Sequence, residues 1–192
     1  DEPKHDAPKP DDKKEGAEKK DEKKDEKKDD KAKEQKPKDS KGTVTIAGTE
    51  ITYAAKTGTL PLLKDDGATR ADVFFVYYAR TGQDGKPLAT TDTSRPIIFC
   101  FNGGPGSSAV WLHFGGLGPK KIALPPAGRT PEVLGKISDN ANSILDVADL
   151  VFIDPVGTGA SRPAKGEKGE QFWGVDEDVE ACGEFIRLFA TR

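Results

Sequence analysis

The sequence predicts an α/β fold, a layered domain built on a mixed sheet and preceded by a charged tail. Three observations carry this. Residues 43–53 alternate apolar and polar positions around a glycine turn, and 71–79 are rich in aromatic and β-branched side chains, as antiparallel strands are. Residues 96–101, and the end of 145–153, are short continuous apolar runs, the pattern of strands covered on both faces. Residues 176–192 carry apolar side chains at helical spacing.

Taken in order, the chain opens on charge. Residues 1–40 hold 14 Lys and 15 Asp or Glu, nearly half of the 30 basic and 33 acidic residues of the whole chain. No Val, Ile, Leu, Phe, Trp or Tyr precedes Val44. Such a segment buries too little apolar area to offset its ordering entropy. Residues 1–42 are therefore expected to be a disordered tail, with transient helix over 17–33 from Glu–Lys contacts. A solvated spacer is preferred over a tether.

Residues 43–53 read as a β-hairpin around Gly48. Residues 60–67 read as a strand end and a turn, and 71–79, rich in aromatic and β-branched side chains, as a strand. A turn follows at 82–85. These pieces form an antiparallel meander at one edge of a sheet. Residues 96–101 form a buried strand, 107–114 begin a short helix, and 145–153 end in a second buried strand. The last helix, 176–192, presents Val179, Cys182, Phe185, Ile186 and Phe189 on one face. Asp176, Glu177 and Asp178 lie in its first turn, where negative charge suits the helix dipole. Another buried strand is expected after Arg192. The sheet is thus read as incomplete, with an exposed edge and poor autonomous stability.

Composition excludes several functions. A net charge of -3 leaves no basic face for nucleic acid. No run of about 18 apolar residues is present, so no membrane span is expected. The chain starts at Asp1 and has no Met, which reads as a processed or excised piece. Cys100 and Cys182 are expected to be buried free thiols. With two His and no clustered Cys, neither a metal site nor a cofactor is expected.

The most informative stretch is Phe101-Asn102-Gly103-Gly104-Pro105-Gly106-Ser107-Ser108, directly after a buried strand. Glycines there let backbone N–H groups approach a ligand closely and stabilise a developing negative charge. α/β-hydrolases place a glycine-rich loop after an early strand for this purpose. The next buried strand leads into Asp154-Pro155-Val156-Gly157-Thr158-Gly159-Ala160-Ser161. Gly157-Thr158-Gly159 invites a dinucleotide reading, but Arg162 occupies the position of the third glycine, and that reading is disfavoured. Asp154 is read as a loop-fixing carboxylate and His113 as a core histidine. No Gly-x-Ser-x-Gly elbow occurs, and no Ser–His–Asp set can be assembled.

Asn102-Gly103-Gly104-Pro105-Gly106-Ser107-Ser108, Gly116-Leu117-Gly118-Pro119, and 149–161 with its Pro155-Val156-Gly157-Thr158-Gly159 core together resemble the serine carboxypeptidases. The resemblance covers roughly residues 43–192. It implies an α/β-hydrolase-like mixed sheet, a Ser–Asp–His triad, peptide substrates, a secreted or periplasmic setting, and release of C-terminal residues through an acyl-enzyme. By the same resemblance Asn102 and Gly103 bind the substrate's terminal carboxylate, and Gly104 N–H is an oxyanion donor. The triad is expected outside this chain, so the chain alone is expected to be inactive. Two positions depart from the family pattern: Cys100 stands where many members have Trp, and Ser107 where many have a disulfide Cys. The alternatives are a non-catalytic binding module and another acyl hydrolase or transferase on the same fold.

Overall fold

The computed structural model describes residues 37–90, 92, 94–103, 106–122 and 135–191. The expectations for residues 1–36 and for Gly104 lie outside these.

A long antiparallel meander comes first. Strands β1 (Lys38–Ile46), β2 (Thr49–Leu63) and β3 (Thr69–Arg80) pair in sequence order. The first hairpin turns on Ala47 and Gly48, at φ +48 and +80. Two left-handed residues in a two-residue turn match the right-handed twist of the flanking strands. The strand starts before the expected boundary at 43: Lys38 pairs with Thr57 and Gly42 with Tyr53. Residues 38–41 are exposed. A backbone ladder needs no apolar side chain where neither face is covered, so the polar composition hid this strand.

Strands β4 (Ile97–Cys100) and β7 (Asp149–Ile153) complete the sheet in the order β1-β2-β3-β7-β4, with β8 (Arg162–Pro163) pairing on β3. β7 is antiparallel to β3 and parallel to β4, so the sheet is mixed. Two short strands, β5 (Lys120–Ile122) and β6 (Ile137–Asp139), form a separate ribbon.

All five residues of β7 are buried: the apolar run Leu150–Ile153 as its pattern requires, and Asp149 at its start. The same expectation fails for β4, where Ile97 is 38% exposed and only Cys100 is fully buried. The reason is position: β7 has a neighbour on each side, whereas among the described strands β4 pairs only with β7.

Alternation along the central strands divides the core into two halves. On one face, Tyr78, Leu150 and Phe152 pack with Val44, Tyr53, Leu145 and Ala109. On the other, Phe75, Val151 and Ile153 pack with Phe172, Ala181 and Phe185. The second face is covered by α2 (Val175–Ala190). Phe185 and Phe189 pack on Phe75, with ring centroids 5.8 and 5.5 Å away. The expected α2 face holds for Cys182 and Phe185, but Val179 is 67% exposed. The short helix starts at Val110, not 107: α1 (Val110–Leu112) passes into a wide turn at His113–Leu117. Gly106, at φ +100, is itself outside the helical region.

One buried ion pair sits at the N-terminal ends of the parallel strands. Arg95 Nε donates to Asp149 Oδ1 at 2.7 Å, and their side chains are 6% and 0% exposed. Tyr77 Oη donates to Asp149 Oδ2, and Arg95 also donates to the Leu145 carbonyl. Every polar atom of the pair thus gains a partner, the condition under which a buried pair is tolerated.

Candidate functional site

Because β4 and β7 run parallel with Cys100 opposite Phe152, the loops that leave them emerge side by side. In open α/β sheets the space outside the carboxyl ends of parallel strands is where ligands collect. The two loops here are both rich in glycine and are built in opposite ways.

The loop after β7 is tied to itself and to its surroundings. Asp154 Oδ1 accepts the Ala109 N–H at 2.9 Å and Oδ2 accepts the Ala160 N–H at 3.0 Å. The carboxylate therefore fixes its own loop to the start of α1. Ser161, fully buried, donates its hydroxyl to the Asp154 carbonyl and accepts the Phe74 N–H. Gly157 N–H donates to the Ser161 carbonyl, and Thr158 N–H to the Pro155 carbonyl. Gly159 must be glycine: a Cβ there would lie against Asp154 Oδ2, and its φ is +46. The Gly157, Thr158, Ala160 and Ser161 amides are thus engaged within the loop. The loop-fixing reading of Asp154 describes it.

The loop after β4 is open. Asn102 is half-buried and Gly103 exposed, and among the described residues the Gly103, Gly106 and Ser107 amides donate to nothing. A Cβ on Gly103 or Gly106 would meet no atom within 4 Å. Free amides beside open space are what an anion-binding turn needs.

Asn102, Gly103, Gly106 and Ser107 line a cavity of about 560 Å³, within the size range of small-molecule sites. Its other wall comes from Pro155, Val156 and the stretch from Phe172 to Val179. Sequence reading missed this wall. The available signal was Trp173, Val175 and Val179 clustered around an acidic helix start, with the two valines spaced i, i+4. Asp178 also lines the cavity, and burial raises its carboxyl above the usual range.

The histidine is structural. His113 is 8% exposed, stacks on Phe152 with centroids 4.6 Å apart, and pairs through Nε2 with Tyr78 Oη at 2.7 Å. Burial lowers its pKa to about 4, so it is neutral at physiological pH. The thiols are free and buried, and burial pushes both up to about 11, with nearby Asp178 adding to the effect at Cys182. Neither suits nucleophilic work. Among the described residues, no three His, Cys, Asp or Glu side chains cluster to hold a metal, and no helix is long and apolar enough to cross a membrane.

A family model described as serine carboxypeptidase matches residues 62–191, more than half of the chain. No curated protein matches it.

Proposed function

The chain belongs to the serine carboxypeptidase family, and on that premise we propose that it carries the carboxylate-binding and oxyanion part of a carboxypeptidase site. In this reading the mixed sheet is part of an α/β-hydrolase sheet. The Asn102 side chain and Gly103 N–H hold the terminal carboxylate of a peptide, and Gly104 N–H donates to the carbonyl oxygen as it gains charge. The Ser–Asp–His triad is assigned to sequence outside these 192 residues, which contain no nucleophile elbow. The serine oxygen adds to the scissile carbonyl and the C–N bond breaks. The C-terminal amino acid leaves with the proton, and water then cleaves the serine ester. A secreted or periplasmic setting belongs to the same reading.

The observation that carries it is that the Gly103, Gly106 and Ser107 amides are unengaged among the described residues, and that these residues line a cavity at the carboxyl ends of two parallel strands. A short peptide with a free C-terminus, titrated against the chain beside its C-terminal amide, tests it. The free acid is expected to bind about tenfold or more tightly than the amide, and Asn102→Ala should remove most of that difference. Equal binding of acid and amide would overturn the reading.

A further inference from the structure

We propose that the outer edge of β1, over Lys38–Gly42, pairs antiparallel with the same segment of a second copy of this chain. The register sets Asp39 of each copy opposite Lys41 of the other, across a two-fold axis at Ser40. β1 and β4 lie at opposite ends of the strand order, so this edge is separate from the carboxylate site.

The backbone decides which groups face outward. Thr81 N–H donates to the Thr52 carbonyl, so the Thr52 backbone points toward β3. Thr43, its partner on β1, therefore turns its own N–H and C=O away from β2. Backbone direction alternates along a strand. Asp39, Lys41, Thr43 and Thr45 thus present their backbone groups on the outer edge.

Part of that edge is closed. Lys120 Nζ donates to the Thr43 carbonyl at 2.8 Å and to Asp139 Oδ1. Lys120 holds the Asp139 carboxyl below its usual range, and the Thr45 N–H adds to this. Side chains of the β5–β6 ribbon thus stand where a neighbouring strand would stand, and charged groups so placed blunt an edge. The rest is open. Among the described residues the Asp39 and Lys41 N–H and C=O groups have no outer partner, and Lys38–Lys41 are all exposed.

Charge chooses the occupant and the register. Asp39 and Lys41 form no ion pair among the described residues. Residues with outward backbone groups must meet their like, which narrows the choice. Asp39 opposite Asp39 sets like charges together and draws in Pro37, which has no N–H. Lys41 opposite Lys41 also sets like charges together, and it needs the Thr43 carbonyl that Lys120 already holds. Asp39 opposite Lys41 uses only free backbone groups and sets opposite charges face to face. Ser40 then meets Ser40, and Lys38 meets Gly42. The strand is complementary to itself in this register, as an isologous two-fold contact requires. The ladder is short and its ion pairs exposed, so the association is weak and reversible.

Sedimentation equilibrium of the 192-residue chain tests this. Dimer is expected to dominate at about 1 mM and monomer at about 10 μM. Asp39→Lys and, separately, Lys41→Glu should each weaken association at least about fivefold, by setting like charges opposite. The double variant should return it to within about twofold of the unaltered chain. These positions are exposed, so no change removes a core contact. Ser40→Cys places thiols on the axis, at the Cα separation of about 4.5 Å of a non-hydrogen-bonded pair, which suits a disulfide. Under mild oxidation it should cross-link at least about tenfold faster than Lys38→Cys, whose Cα atoms would lie about 13 Å or more apart. A chain monomeric at about 1 mM, association unchanged by either reversal, or a double variant as weak as the single ones would overturn the proposal. So would equal cross-linking at positions 38 and 40, which would mark contact through another surface, such as that around exposed Trp173.

Discussion

Two glycine-rich loops stand side by side at the carboxyl ends of β4 and β7, and they differ in how many of their amides have partners among the described residues. The 154–161 loop spends the Gly157, Thr158 and Ser161 amides on its own carbonyls and the Ala160 amide on the Asp154 carboxylate. The 102–108 loop leaves the Gly103, Gly106 and Ser107 amides unengaged among the described residues. Glycine serves different ends in the two. In the first it permits close packing, since a side chain at Gly159 would strike Asp154. In the second it keeps the space beside the backbone open. The tied loop is the brace and the open one is what it braces, because Asp154 reaches across to the Ala109 amide just after the open loop. Glycine content alone therefore does not identify a binding loop; the fate of the amides does.

This contrast breaks most readily at Asp154. Asp154→Ala removes two charge-assisted hydrogen bonds, and a loss of roughly 4 kcal/mol is expected in urea denaturation. A loss no larger than that of an exposed aspartate would show that the brace is not holding. Next comes acid. His113 titrates at about 4 in the fold and near 6.5 when unfolded. Between those values the unfolded chain binds the extra proton, so the stability present above about pH 6.5 falls by about 3 kcal/mol as pH drops toward 4. Denaturation midpoints measured at pH 7.5 and 4.5 check this, and His113→Phe should flatten that part of the pH dependence.

Ser161→Ala comes third, with about 2 kcal/mol lost, because it strands the Phe74 N–H and the Asp154 carbonyl. Gly106→Ala should cost about 1 kcal/mol, from its positive φ alone, since no neighbour obstructs a Cβ. At the low end, Asn102→Ala is expected to change stability by less than about 0.5 kcal/mol, because its side chain has no hydrogen-bond partner among the described residues. Its effect should appear in ligand binding only. A large stability loss at Asn102 would erase the distinction between the loops.

Much of this was legible in the order of residues. The meander, the fully buried β7, the amphipathic α2, the buried thiols, the core histidine and the loop-fixing aspartate follow from local periodicity and from the cost of burying polar groups. The departures occur where neighbours decide. β4 is half-exposed because it lies at the described edge of the sheet, which its own apolar run cannot reveal. Lys38–Ile46 is a strand because β2 offers a ladder to pair with, although residues 38–41 look like tail.

The sequence by itself determined the chemistry-bearing segments: a glycine-rich turn after one apolar strand, and an Asp-Pro-Val-Gly-Thr-Gly turn after another. Only the tertiary structure decided that the two lie together, that the second steadies the first, and that Trp173, Val175 and Val179 wall the cavity between them. The reason is physical. Strand pairing and side-chain packing join residues some fifty to seventy positions apart, from 102 to 154 and on to 173, and no local pattern records which distant surfaces will meet.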